Sequence, residues 1–500
     1  MNSRLVVVGG FYLSAVLGIF CFPPFAFWPL AYVALVPFLH SAISVGGKRA
    51  GRHGYAAGLV FFSGLLYWIG LNSGAPTWLA WLSAAAVIAI LATVWALCAW
   101  LVARLHARHG AAWSVGGFVV LYVFLEVFWG TGELGFPWAV WGLSQTRFLP
   151  ALQFAEIGDI YGLSLWVLTL NALLYLVLAS RRSWLQVSLF LGVLSAVPLY
   201  GVLRLVRVQR GPLLPVAAVQ VNTPVDEKWD GTSEEILESY VSATLPLADT
   251  SVELVVWPET ATPVPLRFRD WARRRLQRLS DSTRLAIVTG ATDYADEPRR
   301  GLAPFNSAFY IRPGEPDLLS SAKVHLVPFG ERIPGQKLLP LLGKVRLGQA
   351  EFMPGDQVTV FPPHATRPPF ACLICFEVLF PDVAADMVTR GALFLANITE
   401  DGWYGRSSEQ SQHLELTRLR AVAMRRSIVR SANLGYAAII LPTGELAARL
   451  ELDRAGILSG SIPLMAEITP AARWARAWLP LYGGILFIVL GAAFLKARRA

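Results

Sequence analysis

The chain has 500 residues, 55% of them hydrophobic and 15% charged, whereas a soluble domain runs at roughly 45–50% and 25%. That pairing excludes a disordered chain, and only 4 cysteines exclude a disulfide scaffold. The formal net charge of +9, from 43 basic and 34 acidic residues, fits nucleic acid, anionic lipid or neither until the charges are placed.

The apolar residues are segregated. From Leu5 to Leu203 the chain is nearly continuous hydrophobic sequence broken by short polar or Gly/Pro-rich loops. From about Arg204 to Arg476 it reads as soluble protein, and from Trp478 to Leu495 it is apolar again. A bilayer core of about 30 Å requires roughly 20 apolar residues per helix. Spans are therefore predicted at Leu5–Phe22, Pro29–Ile43, Tyr55–Leu71, Leu79–Ala103, Trp113–Trp129, Leu163–Ala179, Trp184–Leu203 and Trp478–Leu495. The first has no small-residue cleavage site followed by soluble chain, so it reads as an uncleaved helix and not a signal peptide. The 18 tryptophans suit rings at a membrane–water interface.

The short loops are asymmetric. One alternate set carries Arg4, Lys48, Arg49, Arg52, Arg104, Arg108, Arg181, Arg182, Lys496, Arg498 and Arg499; the other carries Arg147. Basic residues collect on the cytoplasmic side, so both termini are expected inside and the segment after the seventh span outside. The expected organisation is a bundle over 1–204, an extracytoplasmic α/β domain over 205–476, and a last helix with a cytoplasmic tail over 477–500. Most of the net charge is then an orientation signal.

Within the outer segment, Leu213–Val221 reads as a buried strand and Thr232–Leu245 as a helix with Thr232 or Ser233 as N-cap. Glu253–Trp257, Leu285–Ala291, Ser307–Ile311, Leu319–Val327, Phe370–Phe376, Leu393–Asn397, Ala437–Leu441 and Gly456–Ile462 read as strands. Phe268–Leu279 and Glu409–Arg426 read as helices. Such a mixture indicates an α/β domain of two or more packed layers. The arginine runs Arg267–Arg278 and Arg418–Arg430 read as solvated helix faces, so no nucleic-acid partner is expected. The 7 histidines are scattered without a paired ligand motif, so no metal and no other cofactor is expected.

Three residues stand at the ends of apolar strands, where a side chain can enter a cleft: Glu259 in Val-Val-Trp-Pro-Glu, Lys323 in Ser-Ser-Ala-Lys-Val-His, and Cys375 in Cys-Leu-Ile-Cys-Phe-Glu. A thiol needs a base to become a nucleophile, and a nearby Lys can stabilise a thiolate and then an oxyanion. Cys372 and Cys375 also form Cys-x-x-Cys. In an extended strand, residues three apart lie about 10 Å apart and face opposite sides, beyond the roughly 7 Å a disulfide spans. One nucleophile and one packing cysteine are expected.

The order Glu259, Lys323, Cys375 resembles the Glu-Lys-Cys triad of nitrilase-like carbon–nitrogen hydrolases. Asn397–Gly405 looks like that superfamily's loop after the catalytic strand, and Gln412–Ala421 like the helix that follows. Such a domain (an αββα sandwich) held between seven helices and one is similar to the apolipoprotein N-acyltransferases. The resemblance implies a ping-pong transfer of a fatty acyl chain, typically from phosphatidylethanolamine, through a Cys375 thioester to the α-amino group of the N-terminal diacylglyceryl-Cys of an apolipoprotein in the bacterial inner membrane. It also implies supporting roles for Glu331 and Glu377, the latter on the same strand face as Cys375, and substrate contacts at Trp229, Asn306 and Trp403. Phe376 stands where the family often has Tyr, and Ser431–Gly435 departs from an Asn-Thr-Gly-like pattern. Pro334–Gly348 could form a lid, with a plain surface loop as the alternative. A monomer is expected. Two other readings stay open: an anchored hydrolase using the same triad with water as acceptor, and a transporter or receptor with an outer sensor domain. The second is poorly supported, since Glu126 alone lies within the spans and Glu133, Glu156 and Asp159 near their ends.

Overall fold

The computed structural model describes residues 2–179, 183–208, 211–224, 232–297, 301–335 and 351–499. It divides into two compact units. Met1–Leu71, Pro76–Arg207 and Trp474–Ala500 form the first; Asn72–Ala75 and Val208–Arg473 form the second.

In the first unit, six helical segments are long and apolar enough to cross a membrane: Trp28–Val45, Gly47–Leu71, Thr77–His109, Ala111–Trp129, Ala155–Ala179 and Trp184–Arg207. Two shorter apolar helices, Val6–Cys21 and Trp478–Ala493, occupy the places of the first and eighth expected spans. Small residues let the helices approach. A Cβ on Gly54 would lie 2.7 Å from the Trp95 carbonyl, and one on Gly58 3.0 Å from Ala92 Cα, the close backbone packing that lipid-embedded helices rely on. Two buried acidic residues take donors from within the unit. Glu126 accepts the Trp141 N–H at 2.8 Å. Glu156 pairs with Arg204 at 2.7 Å and accepts from the Tyr200 hydroxyl. The sixth expected span begins earlier than hydropathy suggests, because Ala155–Ala179 runs through a break at Asp159 (φ 51°).

The second unit carries twelve strands in chain order: β1 (Leu213–Gln220), β2 (Leu254–Val256), β3 (Ala286–Glu297), β4 (Gly301–Arg312), β5 (Glu315–Ala322), β6 (Val360–Phe361), β7 (Phe370–Ile374), β8 (Leu395–Glu400), β9 (Ile428–Asn433), β10 (Ala438–Ile440), β11 (Leu446–Arg449) and β12 (Gly456–Pro463). They form two six-stranded sheets, β12-β1-β2-β3-β4-β5 and β11-β10-β9-β8-β7-β6. Each has a parallel centre, β1-β2-β3 and β7-β8-β9.

Period-two alternation divides the apolar residues between two cores. Val216, Ala218, Val256, Val288 and Tyr310 face Phe370, Cys372, Ile374 and Ile398 between the sheets. Ala217, Val219, Val255, Ile287 and Phe309 face outward onto the helices Ser233–Thr244 and Asp270–Thr283. The first of these helices is capped by Thr232, whose hydroxyl accepts the Glu235 N–H. The helices Pro381–Thr389 and Glu409–Met424 form the crossovers β7–β8 and β8–β9, as parallel pairing requires. This is the expected α/β sandwich of two sheets.

Three local expectations are corrected. The helix expected from Phe268 starts at Asp270. The strand expected to run to Phe376 stops at Ile374 and gives way to the 3-10 turn Cys375–Leu379. The arginine run 418–430 is no solvated face, since Arg420, Arg425, Arg426 and Arg430 are among the largest fully buried side chains. Arg420 donates to the Val378 and Leu379 carbonyls at 2.9 Å each, and Arg426 to the Ala392 carbonyl at 2.6 Å. The helix Glu409–Met424 is thus enclosed on all sides, and its guanidiniums serve as donors for loop carbonyls that no ladder reaches.

Candidate active site

The three strand-end residues converge. β2 ends at Val256 and turns through Trp257, Pro258 and Glu259. The turn is seated on β3: Trp257 N–H donates to the Val288 carbonyl at 2.8 Å, Gly290 N–H to the Pro258 carbonyl at 3.1 Å, and Thr262 N–H to the Gly290 carbonyl at 3.1 Å. Only glycine fits at 290, because a Cβ there would lie 2.5 Å from Thr260 N and 2.7 Å from Glu259 Cα. Lys323 follows β5 directly, with its N–H on the Asn306 carbonyl at 2.8 Å.

Cys375 follows β7 with φ 49°, a left-handed conformation that costs a non-glycine residue about 1–3 kcal/mol. The surrounding structure has to hold it there. Cys375 as a residue is partly exposed, whereas Glu259 and Lys323 are buried.

A web of short bonds joins these groups. Lys323 Nζ lies 2.9 Å from Glu331 Oε1 and 3.6 Å from Glu259 Oε1. Asn306 Nδ2 donates to both carboxylates, at 2.7 Å to Glu259 and 2.9 Å to Glu331. The remaining oxygens take backbone donors: Glu400 N–H to Glu259 Oε2 at 3.0 Å, and Val327 N–H to Glu331 Oε2 at 2.8 Å. Burial works against the charge on Lys323, but Glu331 and Glu259 outweigh it and hold the ammonium pKa well above its usual value. Burial and then Glu259 push the Cys375 thiol up, and Lys323 only partly offsets them. The thiol is therefore protonated at rest, with a carboxylate beside it.

Glu377 does not share a strand face with Cys375, because β7 has ended before either residue. It sits in the following turn and reaches back. Its Oε1 accepts the N–H groups of Val324 (2.7 Å) and His325 (3.2 Å), and its Oε2 that of Ile374 (2.8 Å). One carboxylate thus ties the residues just after Lys323 to the residue just before Cys375, across the two sheets. Burial pushes its pKa up to about 7 despite these donors. Cys372 and Cys375 do not face opposite sides either. Cys372 belongs to the core between the sheets and Cys375 packs against that same core. Both thiols are free.

Phe376 is buried against Phe380 and His325, with ring centroids 5.2 and 6.0 Å away, so this ring serves packing. Trp403 lies on the turn Asp401–Tyr404, and its carbonyl accepts the Ser73 N–H at 2.8 Å. Trp229 lies outside the described residues, as does all of the 334–348 segment beyond Gly335.

A second cluster of polar residues lies directly behind Cys375. The Asp401 carboxylate accepts from the Thr399 hydroxyl at 2.7 Å and from Arg430 at 2.6 Å, and His413 Nδ1 lies 3.0 Å from it. Burial opposes the Asp401 charge, but Arg430 and His413 hold its pKa well below the usual carboxylate range. Burial and the Asp401 charge push Glu409 up to about 7. Gly435 makes room, since a Cβ there would lie 2.3 Å from Asp401 Oδ2. Asp401, Glu409 and His413 are spaced as metal ligands could be, but Arg430 already supplies the cation there. Sequence reasoning missed this cluster. Its signal was the run of polar residues Arg430, Ser431 and Asn433 inside an apolar neighbourhood, which reads as loop until burial is known.

Two family models match the chain: the apolipoprotein N-acyltransferase N-terminal domain over residues 14–173, and carbon-nitrogen hydrolase over residues 215–470. An apolipoprotein N-acyltransferase of Geobacter metallireducens is 34% identical over 465 residues, covering 90% of this chain and 88% of that protein. One of Pseudomonas syringae pv. tomato is 30% identical over 490 residues, covering 95% and 94%. Among solved structures, an amidase from Nesterenkonia sp. aligns at 20% identity and a TM-score of 0.39, covering 55% of this chain and 99% of that one. The chain belongs to the apolipoprotein N-acyltransferase family.

Proposed function

We propose that Cys375, Glu259 and Lys323 carry out acyl transfer by a ping-pong route. The Cys375 sulfur attacks the ester carbonyl of a phospholipid while Glu259 takes the thiol proton, and an S–C bond forms. Lys323 and backbone N–H groups hold the oxyanion. The C–O bond breaks, Glu259 returns the proton to the leaving alkoxide, and lysophospholipid departs. The α-amino group of an N-terminal diacylglyceryl-Cys then attacks the thioester. Glu259 accepts its proton, the C–S bond breaks and the thiol is restored. The observation that carries this reading is the strand-end placement of a partly exposed Cys375 beside a buried Glu259–Lys323–Glu331 cluster in a chain of this family. A base is needed because the thiol is neutral, and the base and the cation are already paired with each other.

Asn306, Glu331 and Glu377 hold the parts in place. Trp229 and Trp403 contact substrate, and phosphatidylethanolamine is the donor. The three-part organisation of 1–204, 205–476 and 477–500, with both termini cytoplasmic and the catalytic domain outside, follows from loop charge. The protein acts as a monomer. Both substrates are lipid-anchored, which suits a site tethered to the membrane.

The test is to incubate purified protein with phospholipid and weigh it. An acyl adduct on Cys375, released by hydroxylamine and absent in Cys375→Ser, is expected. Absence of the adduct under conditions of full activity would sink the ping-pong route. An adduct discharged equally fast by water and by amine would favour hydrolysis.

A further inference from the structure

His413 touches oxygen on both sides. Its Nε2 lies 3.3 Å from the Cys375 carbonyl. Its Nδ1 lies 3.0 Å from Asp401 Oδ1 and 3.4 Å from Glu409 Oε1. Carbonyl and carboxylate oxygens only accept, and a neutral imidazole has a single N–H. Arg430 Nη2 also lies 3.2 Å from Nδ1, so a ring protonated at Nε2, neutral or as imidazolium, directs its donor at the Cys375 carbonyl.

The surroundings can carry the imidazolium charge. Arg430 donates to Asp401 Oδ2 and to Asn397 Oδ1 at 2.6 Å each, and to Thr417 Oγ1 at 3.2 Å. Asp401 therefore stays ionised beside Arg430 and His413, and Glu409, its pKa raised to about 7, is a further acceptor on the Nδ1 side. His413 is 1% exposed and Arg430 fully buried, which leaves water no share in the arrangement. Burial and Arg430 both oppose the charge on His413, yet Asp401 and Glu409 keep its pKa above the ordinary value.

What the ring holds is the carbonyl of a residue in left-handed backbone. In a trans peptide the C=O and the next N–H point in opposite directions. Fixing the Cys375 carbonyl therefore also fixes the direction of the Phe376 N–H, the amide adjoining the thiol. We infer that His413 is a positioning residue: it donates through Nε2 to the Cys375 carbonyl and so holds the nucleophile turn in its reactive form. This rests on the reading of Cys375 as nucleophile.

The test uses full-length protein in detergent and the variants His413→Gln, His413→Asn and Glu409→Gln. Three quantities are measured: the rate of acyl adduct formation against phospholipid concentration, the rate of Cys375 alkylation by iodoacetamide, and the melting temperature. Gln reaches the carbonyl with a donor and Asn does not. His413→Asn is expected to lower kcat for adduct formation by roughly tenfold or more, the scale of a sub-ångström misplacement, with KM unchanged, and His413→Gln to restore part of it. Glu409→Gln, which alters the Nδ1 side of the ring and leaves the donor to the carbonyl in place, is expected to lower the melting temperature and to lower kcat far less than His413→Asn. Equal rates for Gln and Asn, or losses in all three variants that track melting temperature alone, overturn the proposal. If wild type forms no lipid adduct, acyl transfer itself is wrong, and the alkylation rates still decide on the clamp.

Discussion

Gly290→Ala tests how the Glu259 carboxylate is held. Gly290 has no left-handed backbone angle, so alanine meets no conformational barrier, and the loss of unfolded-state entropy alone would stabilise the fold by about 0.4–1 kcal/mol. Packing decides the outcome. The new methyl would stand 2.5 Å from Thr260 N, 2.7 Å from Glu259 Cα and 2.9 Å from Glu259 C. All three are backbone atoms of the turn, so no side chain can swing aside. A van der Waals separation near 3.5–4.0 Å requires the turn to retreat by about 1 Å. Overpacking of this kind costs about 1–3 kcal/mol, and the net destabilisation should be about 0–2.6 kcal/mol once the entropy gain is subtracted. The larger effect is on chemistry, since a 1 Å misplacement of a reacting group costs on the order of 10²-fold. Adduct formation on Cys375, followed by intact mass against time, should slow by about that factor. Alkylation by iodoacetamide, which needs no precisely placed base, should slow far less. A Gly290→Ala protein that acylates at the wild-type rate would refute the reasoning, because Glu259 would then not depend on its seat.

Other outcomes follow from the same contacts. Lys323→Met leaves Glu259 and Glu331 buried without their cation; it should cost about 3–5 kcal/mol and abolish the adduct, and adding Glu331→Gln should recover melting temperature but not activity. Glu377 has its pKa raised to about 7 from 4.5, so the folded chain holds an extra proton between those values. Its contribution is complete below about pH 4.5 and is lost as pH rises to about 7. Glu377→Gln should flatten that part of the melting temperature–pH curve while lowering stability by about 1–3 kcal/mol through the misdirected amide. Gly435→Ala would press on Asp401 Oδ2 at 2.3 Å and should cost about 1–3 kcal/mol by thermal melt.

The apolar elements were legible because their periodicities are local. Spans, buried strands and the Thr232 cap each follow from a few neighbouring residues, and strand-end position alone picks out Glu259, Lys323 and Cys375 as candidates. What the chain hid was where regularity stops. Phe370–Phe376 is apolar throughout, so nothing in it announces that β7 ends at Ile374, yet that ending puts Cys375 in left-handed backbone and turns Glu377 back on the strand. The buried arginines were misread for a related reason. Arg420 and Arg430 have the composition of a surface, and only the tertiary supply of carbonyls and the Asp401 carboxylate makes their burial affordable.

The Glu377 carboxylate has a consequence for observing this protein at work. The amides of Val324, His325 and Ile374 all donate to this one side chain. Their hydrogen exchange should therefore rise and fall together and report, amide by amide and without substrate, whether the two halves of the site are assembled. In Glu377→Gln these three positions should exchange early while the rest of β7, and β8, stay protected. Exchange at 324, 325 and 374 is thus a readout of readiness for catalysis, separate from the stability of the fold.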